Sequence, residues 1–533
     1  MKITIHYVLW LCALASLTGA SSAGVIVGTG DQPTSDVLGR TDAMGFEVTD
    51  SGAGHTLIVP YYTVQNQQLS VLHLVNTDTA NGKVVKLRFR GASNGDSLLS
   101  LQVLLAAGDV WTGALAAGAD GRAQIITGDL SCTYPRLLPG VSQPFLTERL
   151  NPALAAPALA AQTREGSIEA FVTADIPAPA SGAPDGTASA LYTTILHTNG
   201  VPPCADSVLS AALMHDTESE SVAASRGFAT PTGGVAGTWY ILDVVGSTTF
   251  SGDATAIRAI NSAGKTARGN YLLFPQSADA VPNPERYTAD PLLVSAGLAS
   301  RVKQMDGSTS QATTAPAVVA RFHDFPDLST PYYLPASAVN ARTTAGQLTQ
   351  RLATVDIKNQ YAIDFSISAK TDWVLAMPTR RYSVAYDYGS ADINLPLLFS
   401  VLPTGGIEPQ LFGTWNSSAI NGVLCYGFQV LLADREGRTT VPTTDLFAKT
   451  YRNICGVVGV LSIFDPGNSV LSASITRTNH DWNYVNGWAT VFMDGYRNAP
   501  VIGSAFMKLT NPNATPGVVG NYGLTFPHMR TAP

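Results

Sequence analysis

The chain has 533 residues, enough for two or three domains, and its 45% hydrophobic content permits a large core. Charged residues make up only 13%, about half of the roughly 25% usual in soluble domains, so small and polar side chains must cover much of the surface. The net charge of −7 and the lack of any Lys/Arg run leave no electrostatic footprint for nucleic acid or anionic lipid.

The first residues have the pattern of a secretory signal peptide. Lys2 gives a positive start, residues 7–17 form a short apolar run, and Ser21-Ser22-Ala23 offers a small-residue cleavage site. The run is too short to span a membrane. We therefore predict a signal peptide at residues 1–23, with cleavage after Ala20 as the alternative, and a secreted or cell-surface location for the mature chain.

Cysteine usage fits an oxidising destination. Cys12 lies within the predicted signal peptide, and four cysteines remain in the mature chain. An even number in an exported protein predicts two disulfides, for which three connectivities exist. Closeness along the chain favours Cys132–Cys204 and Cys425–Cys455. No spacing is C-x-x-C, so redox or zinc chemistry is not indicated.

Residues 83–90 show the period-two pattern of a half-buried strand. The apolar side of this strand holds Val85, Leu87 and Phe89. The basic side holds Lys86, Arg88 and Arg90. Three interpretations of the basic side stay open: an anion-binding strip, a solvated face, or pairing with a neighbouring strand.

The neighbouring segments extend this strand into a β-meander or sandwich sheet. Residues 69–76 and 99–105 also alternate, and Asn81-Gly82 is a hairpin signal before residues 83–90. The next turn, Gly91-Ala92-Ser93-Asn94-Gly95, matches the G-x-S-x-G pattern of hydrolase nucleophiles. That chemistry needs Ser93 on a strand-to-helix turn. Because strand alternation follows instead, we predict a β-turn and no catalytic residue.

The middle of the chain interrupts the strand pattern. Residues 151–161 predict short helical turns, residues 188–197 and 205–214 predict helices, and the Pro-rich residues 176–186 predict a loop. Residues 226–237 are rich in Gly, Thr and Pro, and we place the domain boundary there.

Strand-like runs continue to the end of the chain, separated by turns rich in Gly, Pro, Asn and Asp. They lie at residues 238–242, 361–368, 373–377, 423–432 and 470–476. We predict an N-terminal β-sandwich domain with an Ala/Pro-rich insertion at residues 24–228 and a C-terminal β-rich domain at residues 229–533. The predicted fold class is all-β, with two β-sandwich-like domains and short helical insertions.

Few residues suggest a binding site. Metal motifs such as H-E-x-x-H are absent, and His323-Asp324 with Asp327 fits a loop better than a ligand set, so we predict no metal and no cofactor. Aromatic rings beside amides bind sugars by stacking and hydrogen bonding. Such a platform would use Trp482, Tyr484 and Trp488. The alternative is a hairpin loop whose aromatic side chains cover the edge of the core.

Several stretches carry a family resemblance. They are residues 59–65, 75–79, 83–92 and 108–112, residues 371–380, and the closing Tyr522-Gly523-Leu524-Thr525-Phe526-Pro527-His528. Together they resemble a group of secreted proteobacterial proteins that are described only as cell-surface proteins. The resemblance implies export and a surface role, and it carries over no active-site residue. The acidic, charge-poor composition also suggests a kinship with surface-layer subunits.

These observations favour an exported cell-surface protein with a structural or interaction role that assembles with itself. Its expected partners are further copies of the chain or cell-envelope components, with no nucleic acid and no transmembrane span. The alternative is a carbohydrate-binding or carbohydrate-active secreted protein. A serine hydrolase is a third hypothesis, which would need a His and an Asp beside Ser93, and we expect a non-enzyme.

Overall fold

The computed structural model describes residues 25–29, 38–179, 188–214, 219–273, 299–301, 325–333, 341–385, 388, 397–399, 417–420, 422–439, 451–463, 469–480, 484–493 and 498–533. The predicted signal peptide, most of the predicted loop at residues 176–186, His323-Asp324 and Trp482 lie outside these residues.

The first half of the described chain is built mainly of strands. These strands are β1 (Val25–Ile26), β2 (Gly45–Thr49), β3 (Ala53–Gly54), β4 (Thr56–Thr63), β5 (Leu69–Asn76), β6 (Asn81–Gly91), β7 (Ser97–Leu105), β8 (Val110–Ala117), β9 (Ala123–Ile126), β10 (Cys132–Tyr134), β11 (Gln143–Pro144), β12 (Glu165–Pro177), β13 (Val235–Asp243), β14 (Thr248–Asp253), β15 (Thr255–Ile260) and β16 (Tyr271–Leu272). The strands predicted at residues 69–76, 83–90, 99–105 and 238–242 lie within β5, β6, β7 and β13.

The described helices are short and lie where the strand pattern breaks. They are α1 (Ala156–Gln162), α2 (Ala190–Ile195), α3 (Asp206–Leu213), α4 (Glu220–Ser225) and α5 (Ala341–Leu352). Ser189 caps α2 by accepting the N–H of Tyr192, which satisfies one free amide of the first turn. The helices predicted at residues 188–197 and 205–214 are therefore confirmed, with shorter bounds.

Strands also dominate the second half. They are β17 (Ala299–Arg301), β18 (Ala353–Thr354), β19 (Asp356–Ala362), β20 (Lys370–Ala376), β21 (Val384–Ala385), β22 (Leu397–Phe399), β23 (Ser417–Ile420), β24 (Val423–Asp434), β25 (Tyr451–Cys455), β26 (Val458–Ile463), β27 (Arg477–His480), β28 (Asn486–Met493), β29 (Ala499–Pro500), β30 (Ser504–Thr515), β31 (Val518–Pro527) and β32 (Met529–Thr531). The fold is thus all-β, as predicted.

Four larger sheets organise these strands. The first sheet has the order β10-β7-β6-β12-β4-β15-β2, and the second has the order β11-β9-β8-β5-β13-β14 with β3 beside β13. The third is β23-β24-β28-β19-β32 with β25 beside β24, and the fourth is β27-β26-β20-β30-β31. Neighbouring strands are antiparallel except for β26 and β27, which run parallel.

The fourth sheet separates two hydrophobic cores. Val374 and Ala376 on β20 belong to the first core, which the first and second sheets share, whereas Trp373 and Leu375 belong to the second core against the third sheet. Successive strand residues point to opposite faces, so one strand supplies both cores. On β30, Phe506 packs against aromatic rings of the second sheet and thereby ties the layers together.

Two strand predictions are wrong because side chains take the place of a neighbouring strand. At residues 361–368, β19 ends at Ala362, and Asp364 accepts the N–H of Ser366 to start a 3₁₀ turn at Phe365–Ile367. Residues 470–476 form a loop. Its N–H groups at Leu471 and Ser474 are bound by carboxylates rather than by a strand.

The predicted boundary after residue 228 stays a prediction. Strand pairing carries residues 235–260 into the sheets built by the first part of the chain, since β13 pairs with β5 and β15 pairs with β4 and β2. Both disulfides have the predicted partners. Cys132 on β10 is bonded to Cys204 just before α3, and Cys425 on β24 is bonded to Cys455 on the adjacent β25.

Candidate functional site

The G-x-S-x-G segment forms the turn between β6 and β7 that the alternation predicts. Ser93 Oγ donates to Gln162 Oε1 at 2.5 Å. Among the described residues, no histidine forms a hydrogen bond with this hydroxyl. The structure therefore gives Ser93 a structural amide partner, and the triad that a serine hydrolase needs is not assembled in the described part of the chain.

This turn docks onto the disulfide-bonded strands β24 and β25. Val457 N donates to the carbonyl of Ser93 at 3.1 Å. The Asn94 amide donates to Gly422 O at 2.8 Å and accepts the N–H of Leu424 at 3.1 Å. We call residues 91–96, 422–425 and 455–458 the junction, because they connect the first sheet to the third and fourth.

A buried guanidinium, that of Arg380, binds backbone carbonyls of the junction. Arg380 donates to the carbonyls of Leu424, Cys425 and Gly456 at 3.1, 2.6 and 3.1 Å. Buried carbonyls without a partner are costly, so this arginine stabilises the ends of the disulfide-bonded strands. The positive charge of Arg380 is therefore stabilised by three backbone carbonyl dipoles.

The basic side of β6 is not solvated, so that interpretation of the strand is wrong. Lys86, Arg88 and Arg90 are 0%, 1% and 1% exposed. Arg90 Nε donates to Glu169 Oε1 at 2.6 Å, and Glu169 lies on the neighbouring β12, so pairing with an adjacent strand is the interpretation that holds for Arg90.

Aromatic side chains cover part of this face. Tyr333 OH donates to Thr56 Oγ1 of β4, and Tyr332 OH donates to the carbonyl of Val172 on β12. The sequence around β6 carries no sign of this cover, because residues 332 and 333 lie far along the chain. The sequence of β6 alone therefore could not distinguish a solvated basic face from a paired one.

Asp96 ends the turn of the junction and is fully buried. It accepts a hydrogen bond from Tyr388 OH at 2.6 Å. Burial raises the pKa of Asp96 to about 6, and the Tyr388 hydroxyl with the nearby Arg381, Arg149 and Arg90 opposes this rise. The carboxyl group therefore changes charge near neutral pH.

A second buried carboxylate holds the loop at residues 469–476. Glu165 Oε1 accepts the N–H groups of Ser474 and Ile475 at 2.8 and 3.2 Å and the amide of Gln65 at 2.9 Å. Its other oxygen accepts Tyr61 OH at 3.2 Å. Each oxygen is occupied by protein donors, so the site is a structural clamp.

The aromatic platform is only partly visible. Trp488 on β28 is 41% exposed, and Tyr484 packs partly buried against the second core, whereas Trp482 lies outside the described residues. The core-edge interpretation therefore fits Tyr484. Trp488 alone of the described pair presents a broad exposed ring.

The C-terminal hairpin of β30 and β31 is the most exposed strand pair that the structure describes. Residues 511–519 are all exposed, and no charged residue occurs from residue 509 to residue 527. Its large exposed apolar side chains are Val518, Val519, Tyr522 and Leu524. Val518, Tyr522 and Leu524 share one face of β31, and exposed apolar side chains grouped on one face mark interaction sites in soluble proteins.

Only the inner half of this hairpin is anchored. Lys508 Nζ pairs with Asp243 at 3.0 Å, and Asn521 Nδ2 donates to Gly246 O at 2.7 Å, which fixes the hairpin to the turn between β13 and β14. Beyond Lys508, β30 has no second neighbouring strand in the described residues. The strand patterns did not predict this surface, although the uncharged run around Pro516-Gly517 is a signal of it in the sequence.

The described residues hold no group of three or more His, Cys, Asp or Glu side chains placed to bind a metal ion. None of the helices described here has the length and apolarity that a membrane span requires. Comparison with protein-family models, with curated proteins and with solved structures finds no match to this chain.

Proposed function

We propose that this chain is an exported cell-surface protein with a structural or interaction role, and that it associates with copies of itself. The exposed C-terminal hairpin, which has no charged residue from residue 509 to residue 527, is the observation that carries the proposal. Copies approach such a surface with little electrostatic repulsion, and burying its apolar side chains is favourable. Two disulfides are compatible with the oxidising compartment that export implies.

Sedimentation velocity of the purified mature protein tests the association. Oligomers should appear with rising concentration, and moderate salt should weaken them little because the contacts are uncharged. Calcium and a chelator provide the control for carboxylate-bridged assembly. A strict monomer at every concentration, with and without calcium, would contradict self-association.

Export is tested separately. N-terminal sequencing of protein recovered from outside the cell should begin at residue 24, or at residue 21 if the alternative cleavage site is used. An intact Met1 on the recovered protein would overturn the proposed location. Electron microscopy of cells with and without the gene would then show whether the surface loses an ordered layer.

A carbohydrate-binding role is the second candidate, and the exposed ring of Trp488 favours it. Indole rings stack on the apolar faces of sugars. Affinity electrophoresis in gels containing cell-wall polysaccharides should then retard the native protein, and Trp488→Ala should remove the retardation. Phe365→Ala, which alters a 73% exposed ring elsewhere, is the matched control.

A further inference from the structure

The outer edge of β31 is open. This strand ends the fourth sheet, and among the described residues only β30 pairs with it. An edge strand presents a row of backbone N–H and C=O groups that pair with water or with another strand. At ten residues, β31 is also the longest of the strands that end the four sheets.

Among the outer strands, β2, β14, β27 and β32 carry charges that discourage edge-to-edge pairing, whereas β10, β11 and β23 are uncharged but only two to four residues long. These charged residues are Glu47 on β2, Asp253 on β14, Arg477 on β27 and Arg530 on β32. In contrast, β31 has no charged residue. Soluble proteins usually protect long edges with charge, so this edge lacks a common barrier to strand pairing.

One face of β31 is covered by β14 at Gly523, and the opposite face is exposed to solvent at Tyr522 and Leu524. A Cβ atom added to Gly523 would lie 2.3 Å from Thr249 O, which shows that β14 covers this face closely. The opposite face presents Tyr522 and Leu524, which are 53% and 38% exposed. A partner that extends the sheet would cover these side chains as well as the backbone edge.

Symmetry favours a second copy as this partner. In an antiparallel pair related by a two-fold axis, the residue at the axis faces itself and its neighbours lie close to their own copies, so a charge near the axis would face a like charge. The uncharged β31 avoids that repulsion. Residues of the same face oppose each other across such a pair, which places Tyr522 against Tyr522 or Leu524 of the other copy.

We infer that two copies associate by antiparallel pairing of β31 with β31, which joins their fourth sheets into one continuous sheet. This inference rests on the proposed self-association and adds the surface and the symmetry. A β-strand supplied by a different protein is the competing occupant, and it would leave the purified chain monomeric.

Charge substitutions on the open face test the pairing. Tyr522→Lys and Tyr522→Glu, each alone, should raise the dimer dissociation constant at least about tenfold at low salt, because like charges then face each other. Mixing the two variants should restore association, since opposite charges now meet. Val141→Lys, at a 55% exposed apolar position beside β11, at the opposite edge of the second sheet, is the control and should leave the constant unchanged.

Cross-linking gives a second measurement that does not depend on affinity. With Tyr522 at the two-fold axis, Tyr522→Cys should form disulfide-linked dimers on mild oxidation; with Gly523 at the axis, a mixture of Tyr522→Cys and Leu524→Cys should do so. Val141→Cys should form none in either case. If the native protein dimerises, but Tyr522→Lys and Tyr522→Glu dimerise as well as the lysine control does, the β31 pairing is wrong while self-association stands. If the mixed variants associate no better than either alone, the two-fold pairing is also wrong. A monomeric native protein would overturn both proposals.

Discussion

Asn359 of the third sheet and His528 hold the end of the described chain between the third and fourth sheets through one fixed histidine tautomer. Asn359 Nδ2 donates to His528 Nδ1 at 3.0 Å and also to the carbonyls of Phe526 and Pro527. With Nδ1 accepting, the Nε2–H donates to Val374 O at 2.9 Å. A neutral imidazole satisfies both contacts, whereas a second proton on Nδ1 would break the first.

We therefore expect His528 to make stability fall in acid. Burial lowers the pKa of His528 to about 4, although the hydrogen bond to Val374 opposes this. Because the folded pKa lies below the unfolded value, the contribution is complete above about pH 6.5 and is lost as the pH falls toward 4. Relative to His528→Gln, the native protein should lose about 3 kcal/mol of unfolding free energy between pH 7 and 4. Denaturant titrations at several pH values measure this, and parallel profiles would contradict it.

Asp96 should instead make the unfolding free energy fall as the pH rises. Burial raises the pKa of this carboxyl to about 6, so its contribution is greatest below the unfolded pKa and is lost as the pH rises through 6. Between pH 4 and 7 the native protein should lose about 2 kcal/mol relative to Asp96→Asn, whose amide oxygen still accepts from Tyr388. The exposed Asp253→Asn is the control. A constant difference between native protein and Asp96→Asn across this range would refute the prediction.

Replacing only one partner of the buried ion pair between Lys83 and Asp175 should lower the unfolding free energy strongly. Both side chains are 0% exposed, and Nζ lies 2.6 Å from the carboxylate. Lys83→Met leaves Asp175 buried without its main counter-charge and should lower the unfolding free energy by about 3–5 kcal/mol. The double variant Lys83→Met/Asp175→Asn should lose less. A double variant that loses as much as Lys83→Met, or more, would contradict the cost assigned to the unpaired carboxylate.

Ser93 should not react as a nucleophile. Its hydroxyl is bound to Gln162, so a fluorophosphonate probe should leave it unmodified, as read by mass spectrometry of the labelled peptide. Ser93→Ala should cost about 1 kcal/mol of stability through the lost hydrogen bond. Stoichiometric labelling of Ser93 would instead support the hydrolase hypothesis.

Patterns that depend on neighbouring residues were readable from the sequence alone. Alternation located β5, β6 and β7, because a strand with one buried face repeats every two residues. The even cysteine count and closeness along the chain gave both disulfides. The strand propensity of residues 470–476 predicted a strand that does not form. Glu165 and Asp372, which are distant in sequence, bind the N–H groups of that loop instead.

Long-range packing decided what the pattern of one strand cannot show. The alternation of β6 separates two faces, but only the tertiary structure covers the basic face and buries Lys86 and Arg88. The sequence likewise located β20 without showing that its two faces feed separate cores. Residues 509–527 of the β30–β31 hairpin carry no charge in the sequence, yet their exposure depends on where the other sheets end. Burial is a property of contacts between distant segments, and it therefore determines which candidate residues can meet a partner.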